Sequence, residues 1–599
     1  MQIITLDFET YYDDTYTLKK LTTEAYVRDP RFEVLCCGLR TPSGNLLTVP
    51  GPELDKATLQ GLTGWKDTAV LCHHAQFDGL IMSHHFGITP GAWLDTLSMA
   101  RLVIGNHLPV GLEALAKHFN LGGKTVPYKA FRGLHWDELS PLIQRDLRHG
   151  CAQDVSLTWE IFTRLWPGFP PEEIRLIDMT VRMFTEPSLC GDIELLKEVW
   201  MAEAARKEIW LRELEVRPNE LQSAEKFAEL LREAGVEPAL KRPGINGTPL
   251  YAFAKNDKFM LELVESADPH VAMLAQARLG YKSTLTQRRA ERLELMTRRG
   301  PLTPYYKYCG SHTPRWSGGD KTNFQNFNRK GDLRKTIVAP PGRKLAIVDL
   351  SQIECRLLNT LAGQWDVVEK FRRGEDPYIG IASHFYKRPI TVADKYERGM
   401  GKQGELMCGF GCGGPRFKQV ASMGNYGPPI EITLAEGNQF VALYRDTHKA
   451  VVAYWRAADE VLRVLLQNLV CDWGPLQVRH KRIYLPNGMA MQYNLLEHDG
   501  MLLRRTRFGG QKIYGAKLVE NVVQALARVI FGQALLRVQE DYRLLPAMIS
   551  HDEAVYVVAA VCDDELLRHN LLDAFTAPVA WLPELPLGAE CVIAERYGK

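Results

Sequence analysis

The chain has 599 residues, of which 46% are hydrophobic and 24% charged, with a formal net charge of +2. Such a length predicts several domains, and the composition is typical of a soluble globular protein. A net charge this small cannot by itself attract nucleic acid, so any affinity for nucleic acid must come from clustered basic residues.

The twelve cysteines are scattered without the paired spacing of metal sites. We therefore expect free thiols in a reducing compartment. The sequence has no signal peptide and no uninterrupted apolar run long enough to cross a bilayer. A cytoplasmic location without a membrane partner is the resulting expectation.

The first predicted element is an apolar strand, Met1 to Thr10, which contains two acids near its end, Asp7 and Glu9. Side chains two residues apart lie on the same face of a strand, so both carboxylates could bind one metal ion. The Asp-x-Glu pattern is common, and alone it predicts only a solvated strand end.

Two more acids follow, Asp78 after an apolar strand at residues 69–72 and Asp154 before an apparent helix. The set resembles, position by position, the four acids of DEDD 3′→5′ exonucleases: Asp7, Glu9, Asp78 and Asp154. This resemblance implies an RNase H-like α/β domain that binds two Mg²⁺ ions, with Mn²⁺ as a substitute.

Pro167 to Pro171 is the best candidate for a linker, because clustered prolines and a glycine stop helices. Beyond it, the chain is predicted to be mostly helical up to about residue 300. One amphipathic helix there, Lys282 to Arg299, is rich in cations: Arg288, Arg289, Arg292, Arg298 and Arg299. It is either a solvated charged face or a surface for phosphates.

A second group of acids is split between two distant segments. A predicted strand at residues 345–348 leads into Asp349, and about two hundred residues later Asp552 and Glu553 precede the apolar run Ala554 to Val558. If these strands are neighbours, Asp349 and Asp552 can share a pair of divalent ions, which is the arrangement used to transfer phosphoryl groups.

The segment between these acids, RGMGKQGELMCGFG from Arg398, has residues of suitable chemistry at intervals of four: Arg398, Lys402, Leu406 and Phe410. This spacing places two cations and two apolar groups along one helical face, suited to a nucleoside triphosphate. Seven glycines between Gly399 and Gly414 indicate close approach to a ligand or a mobile element. A P-loop is excluded, since no Ser or Thr follows Lys402.

The three segments resemble motifs A, B and C of family A DNA polymerases, and the chain looks most similar to the shorter bacteriophage enzymes. The resemblance implies an α/β and α+β multidomain fold, with the exonuclease domain at 1–166 and a right-hand polymerase domain at 167–599. In the hand we expect the thumb at about 172–300, the palm at about 301–362 and 485–599, and the fingers at about 363–484. We expect no 5′-nuclease domain before the first strand.

The same resemblance implies residue roles. Two Mg²⁺ ions would be bound by Asp349, Asp552 and the backbone carbonyl of Leu350, with Glu553 as a secondary catalytic acid. Glu354 matches the steric gate that excludes a 2′-hydroxyl. The expected nucleotide-binding residues are Arg398, Lys402, Leu406, Phe410, Glu354 and Tyr378. The expected DNA-binding residues are Arg315 and Gln524 in the minor groove, His551 at the primer end, and Arg288, Arg289 and Arg292 in the thumb.

One position departs from the family pattern. Relatives carry a tyrosine four residues before the last exonuclease aspartate to orient the attacking water, and that position here is Gly150. His149 instead fits the spacing of the histidine branch of the superfamily, where an imidazole serves as general base. We therefore predict this role for His149.

The sequence thus predicts a template-directed DNA polymerase with 3′→5′ proofreading, acting as a monomer on primer–template DNA and dNTPs for phage replication in the bacterial cytoplasm. Two alternatives stay open: an exonuclease whose polymerase-like half only binds DNA, and a polymerase whose exonuclease is inactive. The phage-like organisation adds the hypothesis of a preference for a modified nucleotide such as one carrying 2-aminoadenine.

Overall fold

The structure is a computed structural model that describes residues 1–105, 107–241, 250–255, 257–327, 331–424, 429–507 and 509–598. The chain forms two compact units. The first comprises Met1–Ser188, Thr303–Asn326 and Gly342–Ala594, and the second comprises Leu189–Leu302, Phe327–Pro341 and the residues from Glu595 onward.

The N-terminal part of the first unit alternates strands and helices. Its elements are β1 (Gln2–Thr10), α1 (Thr23–Val27), β2 (Val34–Arg40), β3 (Leu46–Pro50), α2 (Lys56–Gly61), β4 (Thr68–Cys72), α3 (Ala75–His85), β5 (Ala92–Asp95), α4 (Thr96–Val103), α5 (Leu112–His118), α6 (Tyr128–Phe131), α7 (Pro141–Leu165) and α8 (Pro171–Thr185). Helix α7 begins at Pro141, with Ser140 as N-cap and proline at the first helical position, so Asp154 lies within this helix and not before it as expected.

The strands of this part form one mixed sheet in the order β3-β2-β1-β4-β5. Strand β1 pairs in parallel with β4 and antiparallel with β2, so it occupies the centre. The apolar residues of β1, β2 and β4 are buried in one core with the aromatic residues Tyr16, Tyr26 and Trp93. Helix α7 packs against β1 and β2, and this packing fixes the position of the acids that β1 and α7 carry.

The second unit is mainly helical. It contains β6 (Cys190–Gly191), α9 (Ile193–Glu213), α10 (Pro218–Gln222), α11 (Ala224–Glu233), α12 (Lys258–Val264), α13 (Pro269–Lys282) and α14 (Leu285–Arg299). Helix α14 packs along α9, and a separate apolar core includes Leu221, Phe227 and Leu274.

The chain then returns to the first unit. The elements that follow are β7 (Tyr306–Lys307), β8 (Ser317–Gly318), β9 (Ile337–Val338), which pairs with β6 in the second unit, β10 (Arg343–Leu350), α15 (Ile353–Ala362), α16 (Trp365–Arg372), α17 (Pro377–Tyr386), α18 (Lys395–Cys408), α19 (Gly414–Met423), α20 (Leu434–Thr447) and α21 (Lys449–Gln467). Helix α18 packs against α17, α19 and α20.

Two small antiparallel sheets, a 28-residue helix, and three strands of a third sheet with one more helix complete the chain. Their elements are β11 (Cys471–Trp473), β12 (Leu476–Arg479), β13 (Arg482–Tyr484), β14 (Ala490–Gln492), β15 (Leu495–His498), β16 (Met501–Thr506), β17 (Gly509–Lys512), α22 (Gly515–Tyr542), β18 (Met548–Ser550), β19 (Glu553–Ala559), α23 (Asp564–Thr576) and β20 (Ala589–Ala594).

The second candidate site rests on a four-stranded antiparallel sheet with the order β18-β19-β10-β20. Residues Leu345 to Val348 of β10 are buried, as expected for a central strand. Helix α22 packs against α15, α21 and α23. The strand predicted before Asp349 and the strand predicted after Asp552 are neighbours in this sheet.

In the described parts of the chain, one helix is long and apolar enough to cross a membrane, namely α22. However, 78% of its apolar window is buried inside the protein, as in the core helix of a soluble protein.

The chain between α7 and α8 interrupts the helices where prolines predicted a linker. Helix α7 ends at Leu165 and α8 begins at Pro171. Helix α8 nevertheless belongs to the first compact unit, and the second begins only at Leu189. The division into exonuclease, thumb, palm and fingers stays a prediction.

Candidate active sites

The N-terminal acids meet at the centre of the first sheet. Asp7 and Glu9 from β1 and Asp154 from α7 each place one carboxylate oxygen within 4.8 Å of the others. Asp78 lies on α3, and its carboxylate accepts a hydrogen bond of 3.2 Å from the backbone N–H of Phe8. The four acids predicted from sequence are therefore brought together from three elements.

Burial makes ionisation of these carboxyl groups unfavourable. Burial and the charge of Asp154 raise the pKa of Asp7 to about 7, against the opposing effect of Lys124. The pKa values of Glu9 and Asp78 are also raised, mainly by burial and then by the charge of Asp7. Buried like charges of this kind are typical of sites that bind cations.

Sequence reasoning missed two residues of this site, Lys124 and Tyr128. The Lys124 ammonium forms an ion pair with Asp154 and lies 5.4 Å from the Tyr128 ring centroid. Both line a cleft of about 830 Å³ together with Asp7, Glu9 and Asp78. They lie in and just before the short helix α6, where no periodic pattern or motif marks them in the sequence.

The predicted general base does not line that cleft. His149 is exposed on α7, and it is not among the described residues that line the cleft. At the adjacent Gly150, a Cβ atom would lie 2.7 Å from the Cα of Val126, so no side chain fits where relatives carry tyrosine. The role of His149 stays a prediction, and Tyr128 lines the cleft of the acids, as Tyr12 and Tyr26 also do.

The second acidic cluster forms at the end of β10. Asp349 pairs in register with Glu553 on β19 and with Glu590 on β20. Asp552 lies in the turn between β18 and β19, and its backbone carbonyl accepts a hydrogen bond of 3.2 Å from the N–H of Leu350. The two strands that carry the predicted metal ligands are therefore direct neighbours.

Charge is concentrated here as well. Burial, followed by the charges of Asp349 and Glu354, raises the pKa of Asp552 to about 7. Burial also raises the pKa of Glu354, while Arg315 opposes the shift. Arg315 Nη1 lies 3.5 Å from Glu354 Oε1, so the predicted minor-groove arginine and the predicted steric gate form an ion pair.

A cleft of about 260 Å³ joins the predicted DNA-contacting residues to this cluster, since Arg315, Glu354, His551 and Asp552 all line it. His551 is exposed with a left-handed φ of 58°, which turns the chain sharply before Asp552. Gln524 lies outside the lining residues, on α22, where its side-chain oxygen accepts a hydrogen bond of 3.4 Å from Thr313.

Helix α18 presents the predicted nucleotide-binding face. Arg398, Lys402 and Leu406 are half-buried on α18, whereas most other residues of the helix are buried. Phe410 is also half-buried but lies beyond the end of the helix at Cys408, so the predicted helical face does not extend to it. Arg398 Nε lies 2.5 Å from Asp376 Oδ2. Tyr378 is buried, and its ring centroid lies 5.7 Å from the Arg398 guanidinium, within cation–π distance.

The glycines of α18 have a packing role. A Cβ at Gly401 would lie 2.0 Å from the carbonyl oxygen of Tyr378, and a Cβ at Gly404 would lie 2.0 Å from the ring of Phe440. These glycines let α17 and α20 approach the helix closely. At these two positions glycine is needed because neighbouring helices pack closely. The sequence had instead predicted close approach to a ligand or a mobile element.

The predicted thumb arginines lie on α14 in the second unit. Arg288 is exposed, whereas Arg289 is half-buried with its guanidinium 5.7 Å from the ring centroid of Phe327. Arg292 is half-buried on the same helix. Arg298, at the end of α14, forms an ion pair of 2.8 Å with Glu294.

Both acidic clusters suit hard divalent cations. Their ligand atoms are carboxylate oxygens, which Mg²⁺ and Mn²⁺ prefer. In each cluster an aspartate has a pKa of about 7 because neighbouring negative charges and burial oppose ionisation, and a bound cation would relieve that cost. The donor sets therefore fit the metal ions that the resemblance implies.

Comparison with known proteins bears on the second cluster. Residues 196–464 match the model of DNA polymerase family A. The matched segment includes Asp349 and the α18 face and ends before Asp552.

Two similar DNA polymerases match over most or all of the chain. A DNA polymerase of Bacillus phage SP02 is 23% identical, and the match covers 100% of both chains. DNA polymerase I of Aquifex aeolicus is 24% identical over 89% of this chain and 88% of the relative. A shorter match, to DNA polymerase I of Chloroflexus aurantiacus, is 31% identical over 18% of this chain and 12% of the relative.

The fold agrees with these relatives. The polymerase domain of Pol1 from M. smegmatis, solved in complex with DNA primer-template and dNTP, superposes with a TM-score of 0.68 at 17% identity. The match covers 99% of this chain and 95% of that one, so the family A fold is shared along the chain.

Proposed function

We propose that the protein is a template-directed DNA polymerase that extends a primer with dNTPs and proofreads with a 3′→5′ exonuclease. The observation that supports synthesis most strongly is the placement of Asp349, at the end of β10, beside the turn that carries Asp552 into the neighbouring strand β19. The backbone N–H of Leu350 donates to the carbonyl of Asp552 and joins the two segments. The family A domain and the phage relative favour the same activity in phage replication, in the cytoplasm of a bacterial host.

The polymerase residues divide the work as follows. Arg398 and Lys402 bind the triphosphate, and the apolar surfaces of Leu406 and Phe410 lie against the base. Glu354, held by Arg315, excludes a 2′-hydroxyl. A pair of divalent ions bound by Asp349, Asp552 and the carbonyl of Leu350 supplies the Lewis acid that activates the primer hydroxyl and neutralises the leaving pyrophosphate.

For the exonuclease, the acids of β1, α3 and α7 bind the metal ions that activate water, and Lys124 and Tyr128 face the same cleft. Burial raises the pKa of Asp154, and the ion pair with Lys124 opposes that rise. The tyrosine hydroxyl is suited to orient the attacking water against the terminal phosphate.

Separate substitutions test the two activities. We expect Asp349→Asn to lower primer extension by at least about 100-fold while mismatch excision persists, because the second cluster lies on different elements. We expect Asp7→Asn to do the reverse. Exposed aspartates serve as matched controls, Asp541→Asn for the proposed polymerase site and Asp137→Asn for the proposed exonuclease site.

The alternatives predict other outcomes. If wild-type protein extends no primer with Mg²⁺ and all four dNTPs but degrades DNA, the polymerase-like half only binds DNA. The packing of Gly150 against Val126 favours the other alternative, a polymerase with an inactive exonuclease, because the usual tyrosine is absent. Equal, near-zero trimming of a mismatched primer by wild type and by Asp7→Asn would establish it.

A further inference from the structure

Helix α18 carries a buried acid that the proposed reaction does not use. Glu405 lies in the last turn of the helix, between Lys402 and Leu406 in the sequence, and it is 3% exposed. Its Oε1 lies 3.3 Å from Nε2 of His448, the residue that joins α20 to α21. An anion near the C-terminus of a helix is unfavourable by itself, because the carbonyl end of the helix is already negative. The contact with His448 therefore explains Glu405, whereas helix propensity does not.

The hydrogen bonds of His448 determine the protonation state in which this pair forms. Its Nδ1 lies 3.2 Å from the backbone carbonyl of Tyr444 and 2.9 Å from the Thr447 hydroxyl. That hydroxyl donates to the carbonyl of Leu443 at 2.9 Å, so Nδ1 faces two acceptors and carries a proton. Nε2 then carries a second proton only in the imidazolium form. The contact with Glu405 is therefore attractive when His448 is charged, and a neutral ring would turn its lone pair toward the carboxylate.

The surroundings of the pair agree with a charged histidine. Burial alone would lower the pKa of His448, but the charge of Glu405 and a hydrogen bond to it outweigh burial, so the pKa lies above its ordinary value of 6.5. The charge of Asp366 on α16 acts in the same direction, and Arg445 on α20 acts on the same region. Burial raises the pKa of the neighbouring phenols and thiols, which stay neutral near pH 7: Tyr378 on α17, Tyr444 on α20, Cys355 on α15 and Cys408 on α18.

Three buried polar atoms around the pair have no hydrogen-bond partner among the described residues: Glu405 Oε2, the Tyr444 hydroxyl and Asn359 Oδ1. The Tyr444 hydroxyl lies at the end of α18, since a Cβ at Gly409 would be 3.3 Å from it. The Tyr444 ring itself stacks on His448, with centroids 4.0 Å apart. Buried polar groups without partners are unfavourable, so they do not explain how α18 is held. The polar contact that this helix end does make is the ion pair with His448.

The pair is suited to specify an orientation. A buried ion pair adds little stability compared with well-packed apolar residues, but removal of one charge from it is costly. Close packing adds to this sensitivity, because a Cβ at Gly404, the residue before Glu405, would lie 2.0 Å from the Phe440 ring on α20. A small rotation of α18 would therefore separate the two charges.

We propose that Glu405 and His448 are positioning residues for the incoming nucleotide, whose ion pair holds α18 against α20 in the orientation that presents Arg398 and Lys402 to the triphosphate. The inference rests on the proposed polymerase function, in which α18 binds the dNTP. Both residues act through the helix and not on the reacting atoms. Without the ion pair, nucleotide binding weakens while the chemical step is preserved.

The first test compares wild type with Glu405→Gln, which removes the charge and keeps the shape. Binding of dNTP is measured with Mg²⁺ on a primer that ends in a dideoxynucleotide, so that no bond forms. In wild type we expect the Kd to rise about tenfold from pH 6.5 to pH 9, because the pair is present below the ordinary pKa and is lost as the pH rises through the raised pKa. In Glu405→Gln the Kd should already be raised at pH 6.5 and change by less than about twofold with pH.

Steady-state kinetics give a second measurement. Glu405→Gln should raise the KM for dNTP about tenfold and keep kcat within about threefold of wild type, since the pair orients a binding face. The control Asp573→Asn disrupts an exposed ion pair with His569 and should change neither parameter. Ionisation of Asp552 over the same pH range strengthens metal binding and would lower the Kd, so it has the opposite sign from the expected effect.

Hydrogen exchange separates this proposal from the proposed function, because it needs neither DNA nor dNTP. Amide protection of α18, corrected for the intrinsic exchange rate, should fall about tenfold in wild type from pH 6.5 to pH 9 and be low at both pH values in Glu405→Gln. If wild type binds no dNTP but shows this change, the polymerase function fails and the role of the pair in holding α18 stands.

Unchanged protection in wild type would overturn the proposal, as would an equal pH dependence of dNTP binding in wild type and Glu405→Gln. If Glu405→Gln fails to fold by circular dichroism, His448→Gln removes the other charge of the pair. The same loss of pH dependence is expected for it, and the wild-type profile requires no variant.

Discussion

At the residue scale, both candidate sites place acids where ionisation is unfavourable in the absence of a cation. Asp552 has a pKa of about 7 because it is buried beside Asp349 and Glu354. Its folded-state pKa lies above its ordinary value of 3.8, so the folded protein binds the proton more tightly than the unfolded chain. This acid therefore destabilises the folded state increasingly as the pH rises from about 4 to about 7.

The first prediction follows from that sign. In metal-free protein at pH 8, we expect Asp552→Asn to be more stable than wild type by about 2 kcal/mol, since it removes a buried charge. At pH 4.5 the difference should fall to about 1 kcal/mol, because the folded carboxyl is then protonated while the unfolded chain is still largely ionised. Thermal unfolding in chelator at the two pH values measures it, with Asp541→Asn as a control.

Adding Mg²⁺ should reverse the order, because the cation binds the wild-type carboxylates and stabilises the folded state by mass action. A metal-free wild type that is more stable than Asp552→Asn at pH 8 would contradict the assigned electrostatics.

The second prediction concerns the water-orienting group of the exonuclease. Tyr128→Phe should lower hydrolysis of single-stranded DNA by about 100-fold, because the hydroxyl that faces Lys124 and the acids is removed. His149→Ala should leave the rate within twofold, since His149 is exposed and outside the cleft. The opposite pattern of rates would confirm the role that the sequence predicted for His149.

At the element scale, α18 shows how far sequence reasoning reached. The spacing of Arg398, Lys402, Leu406 and Phe410 predicted one helical face, and the first three are half-buried on α18, whereas Phe410 lies beyond the end of the helix. The glycines between them were misattributed, because a sequence does not reveal which neighbouring helix approaches at Gly401. Periodicity is a local property, whereas helix packing depends on residues far away in the chain.

A third prediction tests this packing role. Gly401→Ala should lower the thermal unfolding midpoint by several degrees and weaken dNTP binding, because the new methyl group meets backbone of α17. Gly413→Ala is the matched control, since a Cβ there has no neighbour within 4 Å and its φ of −96° suits alanine. Equal unfolding midpoints for the two variants would contradict this role, because they would mean that α17 shifts to accommodate the methyl group at little cost.

At the scale of the whole molecule, a buried ion pair joins the N-terminal part of the first unit to the region of the second acidic cluster. Arg528 on α22 donates to Glu173 on α8 at 2.7 Å and to the Tyr308 hydroxyl at 2.8 Å. Asn487 donates to the same glutamate at 2.7 Å. Each side chain of the pair is at most 2% exposed, so its charges depend on one another.

The fourth prediction is that Glu173→Gln destabilises the first unit as a whole by about 3 kcal/mol, because it leaves a guanidinium buried without its counter-charge. Calorimetry should show one transition shifted down, with the N-terminal sheet and the palm sheet unfolding together. Glu160→Gln, which disrupts an exposed pair with Arg164, should have little effect. A separate early transition of the N-terminal sheet would contradict the coupling.

The ion pair between Arg528 and Glu173 also explains a limit of sequence-based prediction. Proline clustering correctly marked the break before α8, but it carried no information on where α8 packs. The partners Glu173, Tyr308 and Arg528 are separated by more than one hundred residues, and none belongs to a recognisable motif. Lys124 and Tyr128 escaped prediction for the same reason, whereas the four exonuclease acids and the strand-end aspartates were found through motif resemblance.

The tight packing at Gly150 constrains how the protein can evolve. Because the backbone of Val126 fills the space beyond Gly150, a single mutation to tyrosine would disrupt the packing of α7 before it could restore the arrangement of other family members. A tyrosine at position 150 therefore requires a second change that moves the segment around Val126.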